Sequence, residues 1–379
     1  MFTSKQQKPL SKLVLTTLPL VAVLATGLSA NAAENYKLRQ SPLGSFGGDI
    51  ATPADKPGFF GTASFTGFSI EGIKDATGKT LPAPAKTGLV PNGGGATYSI
   101  AEGKVNLMQE QTQINVAVGY LTESTFSDGR IAFVANMPFV NQSRTANVIY
   151  PSSVITPSTL QTIAGPGVDS TVNSLGLAQA RASTGNASGI GDTELSTVWI
   201  RHTGPLKVAA GISVFVPTGK FSLASDTALL PNPGFGNFYT IRPGVAFSYN
   251  LNPNYSHQDW DAGVTIAGRV AYGVNTENKD THYKSGNFIY SEAAIVKVMG
   301  DAAVGFNLSS TQQITNDTYS GTDTTKTING RYKNMAAGPF FSYKFPGQDM
   351  GINFQINRNF SGRNAIDVTS YQLRLIKAF

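Results

Sequence analysis

The chain has 379 residues and no cysteine, which excludes disulfide staples and thiol chemistry. Forty glycines, twenty prolines and only 14% charged residues argue against a helical enzyme and for a turn-rich β protein. The formal charge of +6 overstates the basicity: without the three lysines of the first 32 residues, 26 basic face 23 acidic residues, so no nucleic-acid partner is expected.

Lys5, Lys8 and Lys12 precede the apolar run Leu13 to Leu28, which ends in Ala30-Asn31-Ala32. That order of charge, apolar run and small residues is a secretory signal peptide, with cleavage expected after Ala32. No later stretch is long and apolar enough for a spanning helix, so a membrane-spanning structure here must be a closed barrel. The expected division is a signal peptide at 1–32, a periplasmic or plug-like segment at 33–57 and a barrel at 58–379. The segment at 33–57 carries Lys37, Arg39, Asp49 and Asp55 and is long enough to enter a lumen from below.

Period-2 alternation then recurs along the chain. Strands are expected near 58–70, 112–123, 129–140, 193–203, 206–217, 235–250, 258–274, 286–298, 301–314, 331–345, 350–360 and 367–379. In the fifth, Leu206, Val208, Ala210, Ile212, Val214 and Val216 oppose Lys207, Ala209, Gly211 and Ser213. In the sixth, Tyr239, Ile241, Val245, Phe247 and Tyr249 oppose Thr240, Arg242, Ser248 and Asn250. In the seventh, Trp260, Val264, Ile266, Val270 and Tyr272 oppose Asp259, Asp261, Thr265, Arg269 and Asn275. Such strands turn one face to lipid and one to a wet interior.

Connection lengths sort by parity. About 41, 52, 17, 11, 16 and 6 residues follow the odd-numbered strands, and about 5, 2, 7, 2 and 4 follow the even-numbered ones, as in barrels with long external loops and short periplasmic turns. Both termini then fall on the periplasmic side. Trp199, Trp260, Tyr249 and Phe379 fall near that interface and Tyr239 and Tyr272 near the other, forming two aromatic girdles. The chain ends on Tyr371, Leu373, Leu375 and Phe379 along one face, with Ser370, Gln372 and Arg374 on the other. An oily final strand with a terminal Phe is what the barrel assembly machinery of outer membranes reads, although Lys377 interrupts the apolar face. The expected fold is therefore all-β, a transmembrane antiparallel β-barrel of about twelve strands in a Gram-negative outer membrane, in contact with its lipid.

The alternation places Glu194, Lys207, Arg242, Asp261, Arg269 and Arg374 on the interior wall as lumen or solute-pathway candidates. Two roles fit them: a basic wall favouring anionic solutes, or internal ion pairs that fill and stiffen the lumen, Arg269 pairing with a carboxylate on a neighbouring strand. Pro217, Thr218, Gly219, Asn275 and Thr276 are the candidates for the external rim. The Ser/Thr/Gly-rich stretch 141–188 reads as an external loop, mobile or folded inward. Thr77-Gly78-Lys79-Thr80 ends like a phosphate loop, but position 73 is Ile where a glycine is required and no helix follows. His202, His257 and His282 are isolated, so no metal site, cofactor or catalytic constellation is expected.

The run Gly189-Ile190-Gly191-Asp192, then Phe215-Val216-Pro217-Thr218-Gly219-Lys220-Phe221, Asn232-Pro233-Gly234-Phe235 and Arg242-Pro243-Gly244-Val245 resembles the phenol meta-cleavage pathway-associated outer-membrane proteins. Tyr272-Gly273-Val274-Asn275-Thr276-Glu277-Asn278 and Tyr283-Lys284-Ser285-Gly286 continue the likeness in the family's order. The resemblance implies a barrel found alongside aromatic catabolism, passing its small-molecule substrates inward. The expected function is thus an outer-membrane channel for passive uptake of small aromatic or hydrophobic compounds. The alternative is a non-conducting barrel acting through its external loops as an adhesin or envelope-structure protein. Oligomeric state is left open by the sequence.

Overall fold

The computed structural model describes residues 33–36, 38–40, 56–90, 94–223, 230–252, 262–322 and 330–379. Strand β1 (Gly58–Lys74) leads to a small pair, β2 (Lys86–Leu89) and β3 (Thr97–Ile100), before the long hairpin β4 (Lys104–Phe126) and β5 (Gly129–Ile149). Next come β6 (Val154–Thr156), helix α1 (Gln161–Ala182), β7 (Gly185–Ile190), β8 (Thr193–Thr203) and β9 (Leu206–Val216). The remaining strands are β10 (Thr240–Asn250), β11 (Ala262–Asn275), β12 (Tyr283–Lys284), β13 (Phe288–Met299) and β14 (Ala302–Gln313). β15 (Thr318–Tyr319), β16 (Lys333–Phe345), β17 (Met350–Arg363) and β18 (Ala365–Ala378) complete the chain.

All pairings in the large sheet are antiparallel, and β1 bonds to both β4 and β18, which closes it. β7 and β8 are two pieces of one strand, because both run along β5. The barrel therefore has twelve strands. Closure is what hydrocarbon demands: with no water to satisfy an edge, each backbone donor and acceptor must find a neighbouring strand. The ladder is interrupted where Met137 and Pro138 face Gly191, Asp192 and Thr193. Pro138 has no N–H to give, and its carbonyl instead accepts the Gly191 N–H at 2.8 Å.

Burial is inverted relative to a soluble protein. On β10, Ile241, Val245, Phe247 and Tyr249 are exposed while Thr240, Arg242, Ser248 and Asn250 are buried. On β17, Asn353, Gln355, Asn357 and Asn359 line the inside and Phe354, Ile356 and Phe360 the outside. The outer face is the one that lipid covers.

Among the described residues, four connections at one end have two to four residues each. Ser127 and Asp128 alone join β4 to β5, with φ of 53° and 59°, the doubly left-handed turn that suits strand twist. At this end Trp199 Nε1 donates to the Phe126 carbonyl at 2.8 Å, and Lys377 Nζ reaches the Gln348 carbonyl at 2.7 Å. Lys377 interrupts the apolar face because it sits at the rim, where its stem can snorkel. At the other end, Asn287 Nδ2 donates to the Tyr272 hydroxyl at 2.8 Å. Trp260, Asp259 and His257 lie outside the described residues.

The stretch 141–188 is folded, contrary to its reading as a mobile or inserted loop. β5 runs on to Ile149, and α1 lays Val168, Val172 and Ala180 against Ile100, Val148, Tyr150 and Ile155. Gln161 clamps the intervening backbone, accepting from Ile155 N–H at 2.7 Å and donating to the Ser153 carbonyl at 2.9 Å. Gly165, Pro166 and Gly167 within α1 disguise it, since intrinsic propensity opposes a helix that packing then stabilises. β4 likewise starts at Lys104 and not near 112, and β10 at Thr240 and not near 235. On the N-terminal side, the described residues of 33–40 contact the long-loop end, whereas β1 begins at the short-turn end. Thr77-Gly78-Lys79 is a turn closed by Asp75, whose carboxylate accepts from the backbone of Thr77 and Lys79 at 2.8 and 3.0 Å.

Candidate functional site: the lumen and its capped mouth

Inside the barrel, alternate residues of β4 form an uncharged polar ladder. Gln109 donates to Gln111 at 3.4 Å, Gln111 to Gln113 at 3.3 Å, and Gln113 to Asn115 at 2.8 Å. From β5, Gln142 donates to Gln111 at 2.9 Å and Arg144 to Gln109 at 2.7 Å. Side chains two apart on a strand share a face, so their amides can chain together along it.

A charged belt continues around the inner wall from β8, the neighbour of β5, to β13. Arg242 Nη2 lies 2.6 Å from Glu194 Oε1, with its Nε bonded to Ser213 at 3.3 Å and its guanidinium 4.9 Å from the Phe215 ring centre. Arg269 Nη2 lies 3.1 Å from Glu292 Oε2, and its guanidinium stands 4.8 Å from the Tyr290 ring centre. In the low dielectric of a narrow lumen such pairs persist because each charge has its counter-charge.

The motifs of the sequence converge at the long-loop end on one carboxylate, Asp192. Its two oxygens accept the Gly219 N–H and the Phe235 N–H, each at 3.0 Å. Lys220 N–H donates to the Ile190 carbonyl and Gly234 N–H to the Lys220 carbonyl, both at 2.8 Å. Gly219 and Gly234 lie backbone against backbone, so a Cβ on either would strike the other.

The third partner of Asp192 is Arg39, whose Nε donates to it at 2.8 Å. Arg39 is 1% exposed and also donates to the carbonyls of Phe238 and, at 2.8 Å, Gly236, with the Phe238 ring centre 3.8 Å away. Burial lowers the pKa of Arg39, while the charge of Asp192 opposes that shift. Around it, Glu34 N–H donates to Ser285 Oγ at 3.0 Å and Asn278 Nδ2 to the Glu34 carboxylate at 2.9 Å. Gln40 bonds Tyr332 at 3.3 Å and accepts from Thr311. Residues 33–40 are thus held among the loops that ring the mouth.

Beneath them lies a cavity of about 390 Å³. Phe68, Ile70, Leu107, Val148, Ile366 and Val368 give it an apolar wall, and the glutamine ladder continues that wall downward. Leu38 and Arg39 border it from the N-terminal segment.

The family described as "Putative MetA-pathway of phenol degradation" matches residues 91–375. The chain belongs to that family. No curated protein sequence matches it. Among solved structures it is similar to the COG4313 outer membrane channel from Pseudomonas putida F1, at 11% identity and a TM-score of 0.59, over 90% of this chain and 100% of that one. The β domain of the Bordetella autotransporter BrkA follows at 10% identity and a TM-score of 0.42, over 86% and 100% of the two chains. The CymD monoaromatic hydrocarbon channel gives 8% identity and 0.37, over 94% and 98%. The fold is that of an outer-membrane β-barrel.

Lys207, Arg242, Arg269 and Glu194 are on the inner wall, and Arg374 borders the cavity, its Nη2 bonded to Gln372 at 3.1 Å. Asp261 lies outside the described residues. Thr218 accepts the Thr193 N–H at 2.9 Å and Gly219 touches Asp192, both at the rim beside Pro217. Asn275 is 1% exposed: it accepts from Thr240 at 2.7 Å and donates to the Ser285 carbonyl at 3.2 Å, while Thr276 accepts the Tyr239 N–H at 2.9 Å. Sequence reasoning missed Arg39 with Asp192, and the glutamine ladder. The alternation Gln109-x-Gln111-x-Gln113-x-Asn115 was the available signal for the ladder.

Proposed function

We propose that the protein is an outer-membrane channel for passive passage of small aromatic or hydrophobic solutes, with the long-loop end facing outward. The cavity under the mouth carries this reading. Its apolar wall gives a hydrophobic solute a dry surface, and the uncharged amides beyond it offer hydrogen bonds without the cost of stripping water from an ion. The family's link to phenol degradation favours the same solute class. Twelve strands enclose less space than the 16 to 18 of general porins, so the interior discriminates by fit. We further propose that residues 1–32 are removed on export and that residues 33–57 act as the plug of the barrel.

Swelling of liposomes carrying the purified protein tests the reading with benzoates, phenols and sugars of graded size. Phenols and benzoates are expected to enter faster than sugars of equal mass; equal rates for all, or none, would reject it. The folded outer layer formed by β2, β3, β6 and α1 favours the alternative, a sealed barrel presenting a surface for binding. Discrete single-channel conductance excludes that alternative.

The charged belt supplies a separate prediction. Arg269→Ala removes from the inner wall the positive charge that stands 3.1 Å from Glu292, and a gain of negative charge in a narrow pore favours cations. Planar-bilayer reversal potentials are expected to shift toward cation preference by about twofold or more. Unaltered selectivity would mean that the belt lies off the ion path.

A further inference from the structure

Ala33 is the residue at which a leader ending in Ala30-Asn31-Ala32 would leave the new chain start. It is fully buried, and its N–H donates to the carboxylate of Asp317. That carboxylate is 2% exposed. It also accepts from the Tyr283 hydroxyl, the Gly286 N–H at 2.7 Å and the Gln313 side-chain amide. All four donors are neutral. Among the described residues no Lys, Arg or His forms an ion pair with Asp317. A buried carboxylate held only by neutral groups is costly, and burial raises the pKa of Asp317 accordingly. The buried carboxylate of Glu34 adds to the negative field, which with Asp317 pushes the Tyr283 hydroxyl upward after desolvation.

Ala33 carries a second mark. Its φ is 43°, a left-handed conformation that a residue with a Cβ rarely adopts. That torsion is defined by the carbonyl carbon of residue 32. Hydrolysis of the 32–33 peptide bond abolishes it: water gives its hydroxyl to the Ala32 carbonyl and a proton to the Ala33 nitrogen. The freed amine takes another proton from solvent, since an α-amino group titrates near 7.7–8.0 at about neutral pH. A neutral donor thereby becomes a cation at the same place.

We propose that the Asp317 pocket is a receptor for the chain's own processed N-terminus, the α-ammonium of Ala33 pairing with Asp317 to pin residues 33–40 in the mouth. Capping of the barrel is then conditional on export and cleavage. The inference goes beyond the channel reading, for it concerns how the mouth is closed and not what passes through it.

The test uses protein purified folded from outer membranes, with an amine-acylating reagent near neutral pH followed by digestion and mass spectrometry. The expected result is a chain starting at Ala33 whose α-amine is labelled at least about tenfold more slowly than after heat unfolding. Asp317→Asn keeps the shape and removes the charge, and it is expected to erase that protection in a barrel still showing the heat-dependent gel shift of a folded one. Inserting one alanine between residues 32 and 33 moves the ammonium while sparing the pocket and is expected to do the same. A different first residue, or an α-amine labelled as fast in the parent as in both variants, overturns the proposal. Absence of solute swelling would reject the channel reading and leave this labelling result untouched.

Discussion

Arg39→Ala is expected to open the barrel. The guanidinium ties the N-terminal segment to Asp192 and to two loop carbonyls, and its removal leaves a carboxylate 4% exposed with only backbone amides as partners. Breaking a buried pair by deleting one partner costs about 3–5 kcal/mol, which shifts the docked-to-released equilibrium by roughly 10² to 10³ or more. Larger single-channel conductance and entry of sugars that the parent excludes are the readouts. Arg39→Lys keeps the charge but loses the fork that spans Asp192 and the Gly236 carbonyl, so an intermediate conductance is expected. A variant with parental conductance would show that residues 33–40 do not occlude the path.

The second large effect concerns assembly. The β16–β17 ladder skips Gly338 and Pro339, pairing Ala337 with Arg358 and then Phe340 with Gln355. Here the strands approach so closely that a Cβ on residue 338 would run into the backbone carbonyl of Ile356. Backbone cannot rotate away as a side chain can, so Gly338→Ala is expected to cost several kcal/mol, at or above the ~1–3 kcal/mol usual for overpacking. The measurement is the yield of heat-modifiable barrel on refolding, expected to fall to a small fraction of the parent. Gly61→Ala is the control: its nearest neighbours, Phe379 and the Ala117 carbonyl, stand 3.6 and 3.7 Å off, and refolding should be unaffected. Parental refolding of Gly338→Ala would reject the close approach.

How much of this could be read in the sequence depends on contrast between the two faces of each strand. β9, β10 and β11 were legible because lipid demands apolar residues outside while the lumen tolerates Lys207, Arg242 and Arg269. The upper half of β4 was not. There the inward glutamines alternate with Asn106, Glu110 and Thr112, which face outward above the apolar band, so polarity carries no period. The same holds on β5, where Gln142 and Arg144 point inward between Asn141, Ser143 and Thr145. Helix α1 was hidden by residues that disfavour helices in isolation. The inward placement of the belt arginines follows from strand parity, but Glu194 and Glu292 become their partners only once register is known. Arg39 with Asp192 joins positions 153 apart, and nothing local announces such a contact.

The long β4–β5 hairpin has a consequence of its own. Its continuous outward apolar band ends near Ile114 and Phe139, with Met108 and Ile149 isolated beyond it, and about ten residues of each strand continue past that level, which at a ~40° tilt lifts the collar some ~25 Å above the acyl chains. With that end outward, the collar rises among the sugars of the outer leaflet. Antibodies, phage tails and proteases working on intact cells then meet α1 and its supporting strands first, and trimming this turret leaves the hydrocarbon-embedded cylinder standing.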